Sequence, residues 1–366
     1  MYSKEIYRRI HIKARNQEII KHSDFIMKKG RKIVENYFAD GHELDVRKIK
    51  PVLYTAEDGE MYEIFKTTRF VWSLPYTSGY GRRLRFVVMD DYHKKIIGIL
   101  GLHSPVLGLK PRNEWLGLRG KDKTTALNQT MDIYTLGAVP PYSFLLGGKL
   151  MAMTAVTNEV REAYKRKYKG KTTIINGEYI NGELVLLTTT SAFGRSSLYN
   201  RVKYKDRYVC FSVGYTTGLG VSHIPDAVFH EIKEYLLDKG IEVKSGYGNG
   251  PNYKFRLINA FLKEASKVLN LKEILEVDTL KDVIRHGIPR QVYVFPLAEN
   301  IREYLHGVDD KPKYFDYPFE QLAQYWYERY LIPRSTRNTE WLEWKKEKII
   351  EEWKEILGAT TTGLLR

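Results

Sequence analysis

Between residues 84 and 215 the chain alternates apolar, β-branched runs with one long helical stretch, and this succession constrains the fold more than any other feature. Residues 84–89 read as a strand that runs into the Asp90-Asp91 turn, and residues 95–102 return as its hairpin partner. Residues 132–139 form a third run, stopped by Pro140-Pro141. Residues 143–169 then read as one long helix, apolar early and basic late, with Arg161, Lys165, Arg166, Lys167 and Lys169 near its negative end. Strands are expected again over 184–190 and 208–215, with a short helix over 195–202 between them.

The flanks differ in character. Residues 1–60 look helical and basic, with Ile19, Ile20, Phe25, Ile26, Ile33, Val34 and Phe38 as the apolar stripe, interrupted by Lys28-Lys29-Gly30-Arg31-Lys32. Pro225 and Gly240 bracket a helix over 225–239. Beyond residue 245 the pattern is mainly helical (252–269, 280–286 and 319–330), with a strand over 291–295 stopped by Pro296. A charged helix over 340–357 carries Trp341, Trp344, Ile349, Ile350 and Trp353 as a narrow stripe, expected to dock on the body or on a partner, and residues 358–366 look frayed. Four regions follow: 1–75 basic and helical, 76–245 an α/β core, 246–335 mainly helical, and 336–366 the tryptophan-bearing helix and tail.

Charge narrows the partners. Lys and Arg number 59 against 44 Asp and Glu, a formal +15, which favours polyanions. The 27 tyrosines beside these cations suit single-stranded nucleic acid, where bases stack and cations track phosphates. One cysteine, Cys210, excludes a disulfide framework and a multi-cysteine zinc site. The first residues are polar and no apolar run is long enough to span a bilayer, so a cytoplasmic protein without a membrane partner is expected.

Three segments carry candidate chemistry. Pro140-Pro141-Tyr142-Ser143-Phe144-Leu145-Leu146-Gly147-Gly148-Lys149 places Gly147, Gly148 and Lys149 where a helix begins, a place suited to a phosphate, although glycines there also allow close helix–sheet packing. The element order resembles the core of the GNAT acyltransferase superfamily, which implies a GNAT-like mixed sheet with flanking helices, an α/β (α+β) fold. It also implies coenzyme A pyrophosphate at the Gly147-Gly148 turn and Tyr199 as general acid. The turn departs from the superfamily's Arg/Gln-x-x-Gly-x-Gly pattern. The second segment, residues 188–201, gathers hydroxyls, Ser191, Arg195, Ser196, Tyr199, Asn200 and Arg201. Arginine forks suit phosphate oxygens, and Tyr199 or Ser191 offers a nucleophile or proton donor, with Arg195 stabilising charge. A turn with a serine cap is the alternative. The third segment, 214–220 followed by Ser222-His223, suits a ligand or ordinary turns. His103 and His223 stand as lone histidines. Asp90, Asp91, Asp132 and Glu183 are the carboxylates available to a divalent metal, and no metal-binding spacing accompanies them.

Residues 136–142, 146–150 and 189–201 together resemble the DruA family, which names the Druantia anti-phage systems. Arg112-Asn113-Glu114-Trp115-Leu116-Gly117, His286-Gly287-Ile288-Pro289-Arg290 and 325–330 extend the resemblance over roughly residues 80–335. Asn113 stands where an acidic residue is expected. The resemblance implies a role in defence or mobile elements, with DNA rather than RNA as partner. Three functions stay open: a DNA-binding protein that nicks or transfers strands, an N-acyltransferase using acyl-coenzyme A, and a non-catalytic scaffold for a defence helicase.

Overall fold

The apolar runs of the central region pair into one seven-stranded sheet. A computed structural model describes residues 4–74, 78–120, 122–174, 177–218, 220, 224, 226–244, 253–277, 279–284 and 287–361. The strands are β1 (Pro51–Thr55), β2 (Arg83–Asp90), β3 (Lys95–His103), β4 (Thr130–Ala138), β5 (Leu186–Thr190), β6 (Lys203–Tyr204), β7 (Arg207–Tyr208), β8 (Phe211–Tyr215) and β9 (Gln291–Pro296). The sheet order is β1-β2-β3-β4-β5-β9-β8, and β6 pairs with β7 apart from it. Every neighbouring pair in the large sheet is antiparallel except β4 and β5. The result is a mixed, mostly antiparallel sheet flanked by helices.

Both faces of β2 and β3 are covered, which is why these strands read as almost unbroken apolar runs. Phe86 and Val88 join a core shared with the Gly147–Thr154, Asn158–Tyr168 and Phe319–Trp326 helices. Val87 and Met89, one residue out of step, face Ile19, Val34, Phe65 and Trp353 on the other side. The Glu347–Thr361 helix therefore docks on the chain's own body: Trp353 is wholly buried, Ile349 nearly so, and Arg15 holds Glu352 at 2.6 Å. Of the other two tryptophans in the expected stripe, Trp341 is buried and Trp344 partly so, and both precede this helix, which begins only at Glu347.

Several elements differ from expectation. The helix expected over 143–169 is two. Residues 143–146 are turn, and a break at Thr157 separates Gly147–Thr154 from Asn158–Tyr168. Thr157 is extended and its hydroxyl donates back to the Thr154 carbonyl at 2.9 Å, the kind of local bond that ends helices. The helix expected over 195–202 is a run of bends and turns, with Arg201 in the left-handed region at φ 56°. The strand β1 lies within the stretch read as helical. The helices described between β8 and β9 include Asp226–Asp238 and Tyr253–Ala265, which share a core with Leu271 and Ile284. Ser222, His223, Pro225 and His286 lie outside the described residues, as do residues 362–366 of the tail. No helix among the described residues is long and apolar enough to cross a membrane.

Candidate functional site

Parallel pairing of β4 with β5 is brief: Thr130 faces Leu186, Met131 faces Leu187 and Asp132 faces Thr188. Beyond that point the strands part. The Thr189 hydroxyl still reaches the Ile133 carbonyl at 3.0 Å, and past it a cleft of about 900 Å³ opens. Residues 132–138 of β4 form one wall, and residues 189–192 and 196–199 form the other. Gly148 and Lys149 close one end, Thr216 and Arg290 lie along it, and Arg69, Trp72 and His11 come from the N-terminal part of the chain.

Of the residues singled out from sequence, Ser191, Ser196, Tyr199, Gly148 and Lys149 line this cleft. Arg195 and Arg201 are exposed and are not among its lining residues. Gly147 is buried, its N–H donates to the Tyr142 carbonyl at 2.9 Å, and a Cβ there would lie 2.8 Å from Ala138 Cβ and from the Tyr142 carbonyl oxygen. This glycine therefore serves close packing of the helix start against the end of β4, and its N–H is not free for a phosphate. Lys149 donates to the carbonyls of Ser197 (3.1 Å), Leu198 (2.8 Å) and Asn200 (2.7 Å), fastening the turn on which Tyr199 stands.

Ser191 is tied on both sides. Its hydroxyl accepts from the Gln291 N–H at 3.0 Å and donates to the Gly194 carbonyl. The turn reading fits this hydroxyl better than the nucleophile reading. Tyr293 organises the next stretch: its phenol accepts from the Ser196 N–H at 3.2 Å and lies 3.3 Å from Asn200 Oδ1. The Tyr199 ring packs 5.1 Å from that of Tyr293 and 5.6 Å from that of Phe295. Burial raises the Tyr199 pKa far above the ordinary phenol, and the Cys210 thiol, also buried, is pushed up to about 12. Tyr199 is thus a protonated phenol at the cleft wall.

The floor holds residues that sequence reasoning left in the background. His103 and Asp132 face each other across β3 and β4, and both line the cleft. The two oxygens of Asp132 meet the Arg112 guanidinium at 3.4 Å and the Val106 N–H at 2.9 Å. Burial nonetheless outweighs these partners and raises its pKa from 3.8 to about 6. His103 stands edge-on to Tyr80 (4.3 Å) and Tyr134 (5.3 Å), and burial, aided by Arg83, lowers its pKa to about 4. His103 is thus a neutral imidazole at pH 7. Asp90, Asp91 and Glu183 do not join Asp132: Asp90 binds His93 and Tyr142, Asp91 pairs with Lys94, and Glu183 accepts from Tyr314. Among the described residues no group of three or more His, Cys, Asp or Glu is placed to hold a metal ion. The N-terminal Lys4–Lys21 helix reaches this site as well, with the His11 ring 4.9 Å from that of Phe193. Only contacts distant in sequence bring these groups together; the sole local signal was the acidic residue next to a strand start.

No solved structure matches the chain. The family described as Druantia protein DruA matches residues 2–307. A Druantia protein DruA from Escherichia coli (strain UMEA 4076-1) is 33% identical over 353 residues, which cover 95% of this chain and 84% of that protein. The residues that build the cleft fall inside the family match, and the chain belongs to the DruA family.

Proposed function

We propose that this protein binds DNA through the cleft where β4 and β5 part, as a component of Druantia anti-phage defence. The observation that carries this reading is the make-up of the cleft. Arg69 and Arg290 line it beside Ser143, Thr190 and Thr216, and Asp132 is the one carboxylate among its described lining residues. Cations and hydroxyls around a partly neutralised acid suit phosphate oxygens. The overall +15 adds long-range attraction to the same partner. Burial makes the Tyr199 phenol still harder to ionise, which disfavours attack as a phenolate; in strand processing its hydroxyl would serve as a hydrogen-bond donor to a departing oxygen.

Fluorescence anisotropy with labelled oligonucleotides tests this. Affinity is expected to fall about 100-fold between roughly 50 and 200 mM salt for about four neutralised phosphates. No binding at low salt would overturn the reading.

A second reading has one specific support. A single parallel pair, β4 with β5, within an order ending β5-β9-β8 is consistent with a GNAT-like core and hence with acyl-coenzyme A in the opening. Against it, the Gly147 N–H is occupied and its surroundings are filled. Millimolar acetyl-coenzyme A is therefore expected to leave the thermal unfolding midpoint unchanged, and a clear upward shift would favour the acyltransferase.

A further inference from the structure

We propose that the cleft takes an unpaired nucleotide and that Arg290 holds its phosphate. This rests on the DNA-binding reading and adds which state of the strand enters and which side chain receives it. Arg290 lines the cleft, and its Nε is buried without a hydrogen-bond partner among the described residues. A buried guanidinium N–H left unsatisfied is costly, and an anion in the cleft removes that cost. The backbone beneath it is anchored from two sides. The Arg290 N–H donates to Thr216 Oγ1 at 3.0 Å, beyond the end of β8, and the next N–H, of Gln291, donates to Ser191 Oγ at 3.0 Å. The backbone that carries this half-buried arginine is therefore fixed between two loops of the site.

Size selects the strand state. About 900 Å³ is the volume of a small-molecule pocket, far below what a base-paired duplex needs, so a nucleotide enters only when unpaired. Trp72 supplies a flat apolar wall: its Nε1 donates to the Ala138 carbonyl at 3.3 Å, and its ring lies over Gly137, where a Cβ would come within 3.0 Å. Aromatic walls beside cations are how single strands are gripped without sequence preference.

The test compares a single-stranded oligonucleotide, a blunt duplex of the same sequence and a duplex with an overhang, each titrated with the full chain across salt. Single strand and overhang are expected to bind more tightly than the blunt duplex. Arg290→Ala is expected to weaken single-strand binding about tenfold and to flatten the salt slope by about 0.7, one phosphate contact. Arg290→Lys should keep the slope and recover part of the affinity, which also serves if the alanine variant folds poorly. Arg195→Ala, at an exposed position, is the comparison. Unchanged single-strand affinity in Arg290→Ala, or a blunt duplex bound as tightly as the single strand, would overturn the inference while leaving DNA binding intact. Displacement of the oligonucleotide by ATP at equal affinity would replace the strand with a free nucleotide and overturn it too. Absence of all DNA binding at low salt would remove the underlying reading as well.

Discussion

Arg112→Met is expected to destabilise the protein by about 3–5 kcal/mol, because it leaves the buried Asp132 carboxylate without its cation. Arg112 is fully buried and Asp132 nearly so; Asp132 lines the cleft, and the Arg112 guanidinium lies 3.4 Å from its carboxylate. Urea unfolding measures the loss, and its pH dependence has a definite sign. The folded-state pKa of Asp132, about 6, already lies above the ordinary 3.8, so its contribution to stability falls as pH rises between those values. Without Arg112 that pKa climbs further, and the deficit against the parent protein should be larger at pH 8 than at pH 5. The double variant Arg112→Met/Asp132→Leu removes both charges together and is expected to recover most of the loss. A deficit independent of pH, or a double variant no better than the single, would mean that the pair is not coupled as its geometry indicates.

Much of the sheet was legible in the sequence because its strands carry their own signal. Residues 84–89, 95–102 and 132–139 are apolar and β-branched on both faces, and they appear within two residues of where they were expected. The strand β1 was not legible: it lies at the sheet edge, begins with Pro51, and leaves Tyr54 38% exposed, so its alternation is faint. The 195–202 turn was misread for a different reason. Leu198, Tyr199 and Val202 have helical spacing, but the conformation is imposed by Lys149 and Tyr293, 49 and 97 residues away from the groups they bind. The site itself was partly legible. Ser191, Ser196, Tyr199, Gly148 and Lys149 do reach one cleft, while Arg195 and Arg201 face outward. Asp132 beside His103, and Arg290 beside the Ser191 loop, follow from strand register, and apart from an acidic residue next to a strand start no local pattern announces them.

Lys149 is where structural and phosphate-binding roles are most easily confused, and replacing it separates them. As a fastener its Nζ serves three carbonyls in the turn that carries Tyr199 and Asn200, and burial lowers its pKa below the ordinary 10.5. Lys149→Met is therefore expected to cost about 2–3 kcal/mol of stability, since hydrogen bonds to a charged group are lost and part-buried carbonyls go unpaired. DNA affinity should fall with it, through displacement of the turn, while the salt slope stays that of the parent. A phosphate ligand predicts the reverse: stability nearly unchanged and the slope reduced by roughly 0.7–0.9. Lys149→Arg sharpens the comparison. A planar fork keeps the charge but cannot direct its donors to three carbonyls as an ammonium does, so it should preserve a phosphate contact and fail as a fastener. Thermal unfolding and salt titration of these two variants, read together, decide whether Lys149 shapes the cleft or occupies it.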